Sequence, residues 1–349
     1  MNIEANIRDI LALMERPSFC VRDGVILELN QEAADLGFRP DMAIAPMLGT
    51  NQQLYAEFTE GILHLPLTGT IWSGSARVSK LGDLHLFALE QEEPQLQAYA
   101  LAAQELRRPL QNLVAVIEHL APELNQVRQT SAGIGVQNMN RSIYQLHRLV
   151  NNMSDAQDSG IARMELRELT SVVQEIMDRV RDLFESIQVT LDFHNHPERI
   201  FSLADVQKLE RAIYNLLSNA LKHTPTGGTV SVQFYRKGNH VYFTVTDPGT
   251  GGTITPEAFR KFLREPGLGD PRDGLGLGIT LVRSIAAAHQ GNLLFRPVST
   301  GGMQAVLSFP IRQGSSELRT PLLTVDYAGE LDHGLVELSE FLPPDLYSL

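Results

Sequence analysis

The sequence predicts an α+β chain of several domains, and three patterns carry that prediction. Short strands and short helices alternate through residues 1–92, a heptad spacing of apolar residues runs through 93–158, and longer strands and helices broken by glycine-rich stretches fill 159–313. An acidic extension, 314–349, follows. A length of 349 residues is enough for two or three domains of ordinary size.

In the first unit, Ile7, Ile10, Leu11 and Leu13 mark an amphipathic helix. Phe19-Cys20-Val21 and Val25-Ile26-Leu27-Glu28-Leu29 read as strands around the turn Arg22-Asp23-Gly24. Asn30 is placed to cap a helix over 31–36, which Gly37 would end. Further strands are expected at 69–75 and 84–89. This order of elements resembles a PAS-type sensor domain.

Beyond Pro94, the residues Leu96, Tyr99, Ala103, Leu106, Leu110, Leu113, Ile117 and Leu120 alternate at spacings of 3 and 4. After a turn containing Gly133, Val136, Met139, Ile143, Leu146, Val150 and Met153 repeat the rhythm. Two such helices form an antiparallel hairpin. A lone hairpin leaves part of its seam in water, so two should pair into a dimeric four-helix bundle, making the chain a homodimer.

The third unit is expected to form an α/β sandwich. It would contain helices at 169–186, 203–223 and 279–289, and strands at 188–193, 229–235, 240–247 and 304–310.

Composition narrows the function classes. Hydrophobic residues at 43% and charged residues at 20% are ordinary for a globular chain. The net charge of −12 offers no basic footprint for nucleic acid. Half of that excess sits in residues 314–349, where seven Asp/Glu face one Arg. Their apolar content is too high for a purely solvating tail, so packing on the preceding domain of the chain and docking of a partner both stay open. Within them, 322–325 is strand-like. Cys20 is the single cysteine, so no intrachain disulfide can form and a reducing cytoplasm is the simplest setting. No run of 18 apolar residues occurs, hence no membrane-spanning helix is expected. The charged amino terminus lacks the apolar core of a signal peptide.

Four short segments carry chemistry. Asn215 and Asn219 stand four apart on one predicted helix face, with Lys222 and His223 just beyond. An amide oxygen there can hold Mg²⁺, and a lysine can reach phosphate oxygens. Asp247, at a strand end, precedes Pro248-Gly249-Thr250-Gly251-Gly252, a pattern suited to reading an amino group on a base while glycine lets backbone approach the ring. Phe259-Arg260-Lys261-Phe262 follows. Then Gly274-Leu275-Gly276-Leu277-Gly278-Ile279 opens a predicted helix, where backbone amides can cradle phosphates.

In this order the four segments resemble the asparagine, first glycine, phenylalanine and second glycine boxes of the GHKL ATPase superfamily, over about 110 residues. That superfamily joins histidine kinases, gyrase-type and mismatch-repair ATPases, heat-shock chaperones and anti-sigma-factor kinases. The resemblance implies ATP and Mg²⁺ as cofactors, with Asn219 as the metal ligand and Asn215 beside it. It places Lys222 at the phosphates, His223 beside the nucleotide, and Asp247 on adenine with Gly249 and Gly251 shaping the pocket. Gly274, Gly276 and Gly278 would line the base of the lid. Arg272 stands where the family often has a further glycine, and the lid between Phe262 and Gly274 is short; both departures imply weaker ATP binding than the family's.

On the first hairpin helix, Gln104-Glu105-Leu106-Arg107-Arg108-Pro109-Leu110 resembles the phosphoacceptor box of sensor histidine kinases, usually His-Glu-Leu-Arg-Thr-Pro-Leu. Residues 95–313 as a whole resemble that family, which implies cytoplasmic signal transduction and a response regulator as partner. The departures fall on the chemistry: Gln104 replaces the acceptor histidine, and an amide nitrogen is no phosphoryl nucleophile at neutral pH. Arg108 replaces the threonine used in phosphatase action. Glu105, the acid/base partner, is kept. His119 and His147 are the other hairpin histidines, and neither matches the motif. The expected reading is a degenerate kinase that binds Mg·ATP. An active kinase using a partner or another residue, and a non-kinase ATPase of the superfamily, are the alternatives.

Overall fold

The computed structural model describes residues 3–90, 94–124, 131–156, 162–249, 277–299, 301–313 and 331–347. The first unit runs α1 (Ile3–Ala12), β1 (Ser18–Arg22), β2 (Val25–Leu29), α2 (Gln31–Asp35), α3 (Ala45–Leu48), α4 (Gln52–Glu57), β3 (Ile62–Leu67), β4 (Gly74–Leu81) and β5 (Leu84–Leu89). Its strands pair antiparallel in the order β2-β1-β5-β4-β3. Asn30 caps α2 as the sequence suggested: its Oδ1 accepts from Ala33 N at 3.1 Å and from Ser18 N at 2.8 Å. Phe19, Phe38 and Phe87 stack in the core, Phe19 lying 5.0 Å from each of the others between ring centroids.

Two expectations are met only in part here. Of the strand expected at 69–75, only Gly74 and Ser75 are extended, as the first residues of β4; 69–73 form a loop, which Ser73 Oγ closes by hydrogen-bonding to both the amide and the carbonyl of Gly69. The strand that precedes it, β3, carries Pro66, which weakens a strand pattern in sequence. Of the four apolar residues that marked α1, Ile7 and Leu11, four apart, are buried, whereas Ile10 and Leu13, the latter just past the helix end, are exposed.

The hairpin consists of α5 (Pro94–Leu124) and α6 (Ser131–Ala156), with Pro109 inside a helix that continues past it. Gly133, expected in the turn, lies within the first turn of α6; the turn itself is outside the described residues. The seam divides. Ala103, Leu110 and Ile117 are buried together with Ile143, Val150 and Met153. Leu106, Leu113, Met139 and Leu146 alternate with them and are exposed on the single chain.

The third unit contains β6 (Glu165–Glu168), α7 (Leu169–Ser186), β7 (Thr190–His194), β8 (Phe201–Ala204), α8 (Val206–His223), β9 (Thr229–Lys237), β10 (His240–Asp247), α9 (Leu277–Ala288), β11 (Asn292–Pro297) and β12 (Met303–Pro310). The helix expected from 203 begins later. Residues 201–204 pair with β6, and Asp205 caps α8 by accepting from Lys208 N at 3.1 Å. The strands lie in the order β11-β12-β10-β9-β7, with α7, α8 and α9 contributing to one apolar core against them. A short helix, α10 (His333–Glu337), and a 3₁₀ turn at Pro344–Tyr347 complete the described chain.

The two sheets are one. β3 of the first unit pairs antiparallel with β11 of the third, His64 opposite Leu293, Leu63 opposite Leu294 and Ile62 opposite Phe295, giving ten continuous strands. Gly61 makes this approach possible: at φ +97° it passes so near the Phe295 carbonyl that a Cβ there would lie 2.0 Å from the oxygen. Behind the joint, Glu90 accepts a 2.9 Å ion pair from Arg283 of α9 and lies 3.0 Å from His64 Nδ1.

Candidate nucleotide site

Three chain segments converge where the motifs lie. The first is α8, whose amphipathic pattern buries most of its length. Asn215, 6% exposed, faces inward, and its Nδ2 donates to the Arg211 carbonyl at 2.9 Å. Asn219, one turn on, is half-buried, and Lys222 and His223 are exposed at the helix end.

The second segment is the end of β10. Asp247, 6% exposed, accepts from the Gly249 amide at 3.0 Å through Oδ1. Burial pushes its carboxyl above the ordinary range, only partly offset by the Gly249 hydrogen bond and the nearby His223. A Cβ on Gly249 would lie 2.6 Å from Asp247 Oδ1 and 2.9 Å from the His223 carbonyl, so the strand end and the end of α8 nearly touch there. Gly302 packs on the other side at φ +92°, where a Cβ would lie 1.9 Å from the Asp247 carbonyl oxygen. The third segment is the start of α9, where Gly278 abuts Asn215. Gly251, Gly274, Gly276, Arg272 and 259–262 lie outside the described residues.

These residues suit a magnesium nucleotide. Asn219 offers a half-buried neutral amide and Lys222 an exposed cation on α8, Asp247 offers a desolvated carboxylate at the end of β10, and Gly249 stands where a side chain would meet both the Asp247 carboxylate and the His223 backbone.

The acceptor box stands apart from these segments, on α5. Gln104, Glu105, Arg108 and Pro109 are exposed; Arg107 Nη2 donates to Ser154 Oγ of α6 at 3.1 Å. Their neighbour Ala103 shares an apolar cluster with Leu277, the first residue of α9, which joins the box to the helix that follows the glycine stretch. His119 is exposed, and His147 Nδ1 lies 3.0 Å from Asn151 Nδ2.

Sequence reasoning missed a polar network behind α8. Arg148 of α6 donates to Ser218 Oγ at 2.6 Å, and Arg211 pairs with Asp155 and donates to Asn152 Oδ1 at 3.0 Å. Its partners are tens of residues apart, and no local spacing signals them.

Residues 204–313 match the family of histidine kinase-, DNA gyrase B- and HSP90-like ATPases. The signal transduction histidine-protein kinase/phosphatase MprB of Mycolicibacterium smegmatis is 30% identical over 259 residues, covering 70% of this chain and 50% of its own. The hybrid signal transduction histidine kinase D of Dictyostelium discoideum is 26% identical over 251 residues, 68% of this chain and 16% of its own. This chain therefore spans half or less of those relatives. Among solved structures, full-length ShkA in complex with AMPPNP aligns over 62% of this chain and 46% of that one, at 20% identity and a TM-score of 0.47.

Proposed function

From the premise that this chain belongs to the sensor histidine kinase family and carries its GHKL-type ATPase domain, we propose that it is a signalling protein that binds Mg·ATP but does not phosphorylate itself at the acceptor box. The observations that support this reading are that Gly249 lies against Asp247 and the end of α8, that Gly278 lies against Asn215 two turns earlier on the same helix, and that the acceptor position holds Gln104.

In this reading Asn219 holds the metal, with Asn215 buttressing it against α9. Lys222 neutralises phosphate charge, His223 flanks the nucleotide, and Asp247 accepts from the base amino group. Gly249 and Gly251 keep the pocket open, and the amides of Gly274, Gly276 and Gly278 lie along the phosphates. Bound Mg·ATP would supply a transferable phosphoryl group, and the protein's share of such chemistry is positioning and charge neutralisation. Glu105 keeps the acid/base place but has no imidazole beside it.

The domains divide as 1–92, PAS-like sensor; 93–158, dimerisation hairpin; 159–313, ATPase; and 314–349, acidic extension. The order β2-β1-β5-β4-β3 around a filled aromatic core supports the first. The exposed half of the seam supports a homodimer. Among the described residues no helix is long and apolar enough to cross a membrane; the cytoplasmic location is proposed from the family resemblance. A response regulator or another signalling protein is the proposed partner, as membership of the histidine kinase family implies.

Incubation with γ-labelled ATP tests the proposal. The wild type should acquire no acid-labile, alkali-stable label, and Gln104→His should acquire one if the acceptor alone has been lost. Acid-labile phosphate on the wild type, mapped to His119 or His147, would overturn the reading.

A further inference from the structure

The segment 331–347 is the described part of the acidic extension, and it packs between the two halves of the molecule instead of trailing from them. Val336, Leu338, Leu342 and Tyr347 are fully buried, the last three in the core of the ATPase layer. Asp332 caps α10 by accepting from Leu335 N at 2.9 Å. Gly334 seats on α7, where a Cβ would lie 2.8 Å from Leu183, and His333 Nδ1 lies 3.2 Å from Glu210 of α8.

The same segment grips α6 of the hairpin from the other side. Tyr347 packs edge-on against Tyr144 at 4.9 Å, and its carbonyl accepts from Asn140 at 2.9 Å. Arg141 donates to the carbonyls of Ser339 and Glu340 at 3.1 and 2.9 Å, and Gln145 donates to Ser339 O at 3.1 Å. At the centre is Glu337, with no exposed surface, its two carboxylate oxygens each 3.7 Å from a guanidinium: Arg148 of α6 and Arg211 of α8.

We propose that residues 331–347 are an internal clasp that locks the ATPase domain against the second hairpin helix, and that opening the clasp frees the domain to move. A carboxylate wholly out of water needs compensating charge, and here that charge comes from one cation on each domain. Separating α8 from α6 therefore strands a buried charge, so Glu337 resists the separation more than apolar packing alone would. The helix so pinned carries Asn215 and Asn219, which makes the clasp a brake on the nucleotide-carrying half. That consequence rests on the ATP-binding reading; the locking does not.

Pulsed EPR on the full chain tests this directly. Cys20→Ser removes the native thiol, and nitroxides on Gln111→Cys of α5 and Gln233→Cys of β9 report the hairpin-to-ATPase distance, with labelled chains diluted in unlabelled ones. The parent should give one narrow distance. Glu337→Ala should broaden it, and so should the milder Arg141→Ala with Gln145→Ala, which removes only donors to the clasp's carbonyls and keeps the core intact. In both, amides of 333–347 should exchange hydrogen at least tenfold faster. A narrow, unchanged distance alongside tenfold faster exchange would overturn the proposal, as would unchanged exchange in both variants. Failure to bind Mg·ATP would count against the functional reading alone and leave the distance result standing.

Discussion

Gly278 stands so close to Asn215 that a Cβ built on the glycine would lie 2.8 Å from the asparagine Oδ1. The amide cannot simply swing aside, because its Nδ2 is held by the Arg211 carbonyl. Gly278→Ala should therefore push α9 off α8, costing about 1–3 kcal/mol as overpacking does, and should weaken ATP binding together with stability. Gly135, inside α6, meets nothing within 4 Å, so Gly135→Ala should instead stabilise by about 0.5–1 kcal/mol. Urea unfolding of the two variants should give opposite signs.

Asp247→Asn separates binding from folding. The amide oxygen can still accept from Gly249, and neutralising a carboxyl that burial disfavours should leave the melting temperature unchanged or higher. Adenine recognition should fall roughly ten- to hundredfold, since a hydrogen bond to a charged group contributes about 1.5–3 kcal/mol. Isothermal titration showing equal affinity would remove Asp247 from the site.

The divided seam predicts two different failures in the hairpin. Leu113 is 49% exposed on the single chain, so Leu113→Asp should dissociate a dimer and leave the hairpin folded. Ile143 is buried between α5 and α6, so Ile143→Asp should unfold it by placing an unpaired charge in the apolar cluster. Analytical ultracentrifugation with circular dichroism distinguishes the two, and a monomeric wild type at tens of micromolar would dismiss the dimer.

Acid should loosen the joint between the first unit and the ATPase layer. Burial alone would raise the Glu90 carboxyl; the hydrogen bond with His64 and the charge of Arg283 outweigh it and hold the group down at about 2. Burial also keeps His64 below its usual value, so a neutral imidazole donating through Nδ1 fits the pair. The folded state binds fewer protons at Glu90 than the unfolded chain does. The stabilisation is thus full above about 4.5 and lost as pH falls toward about 2, of order 3 kcal/mol. Arg283→Ala should flatten that part of the stability–pH curve, and denaturant melts from pH 6 to 3 would show it.

Local chemistry was readable along the chain wherever neighbours in sequence decide it. Asn30 announces a helix start because a cap bonds to amides two or three residues away, and α7 and β10 emerge at the expected bounds because periodicity is itself a local property. The nucleotide motifs were legible for the same reason, each being a short run whose residue types suit one ligand group.

What tertiary structure alone decided lies at long range. Heptad spacing marks Leu106 and Leu110 alike, and only the pairing of α5 with α6 turns one outward and the other in. β3, which carries Pro66, joins two sheets because Gly61 and Phe295 meet across more than 200 residues of sequence. The extension read as acidic and ambiguous, since the value of Glu337 depends on Arg148 and Arg211, which folding brings to it from two different helices, α6 and α8. A charge announces its sign in sequence, but its partner and its exposure to water are properties of the packed molecule.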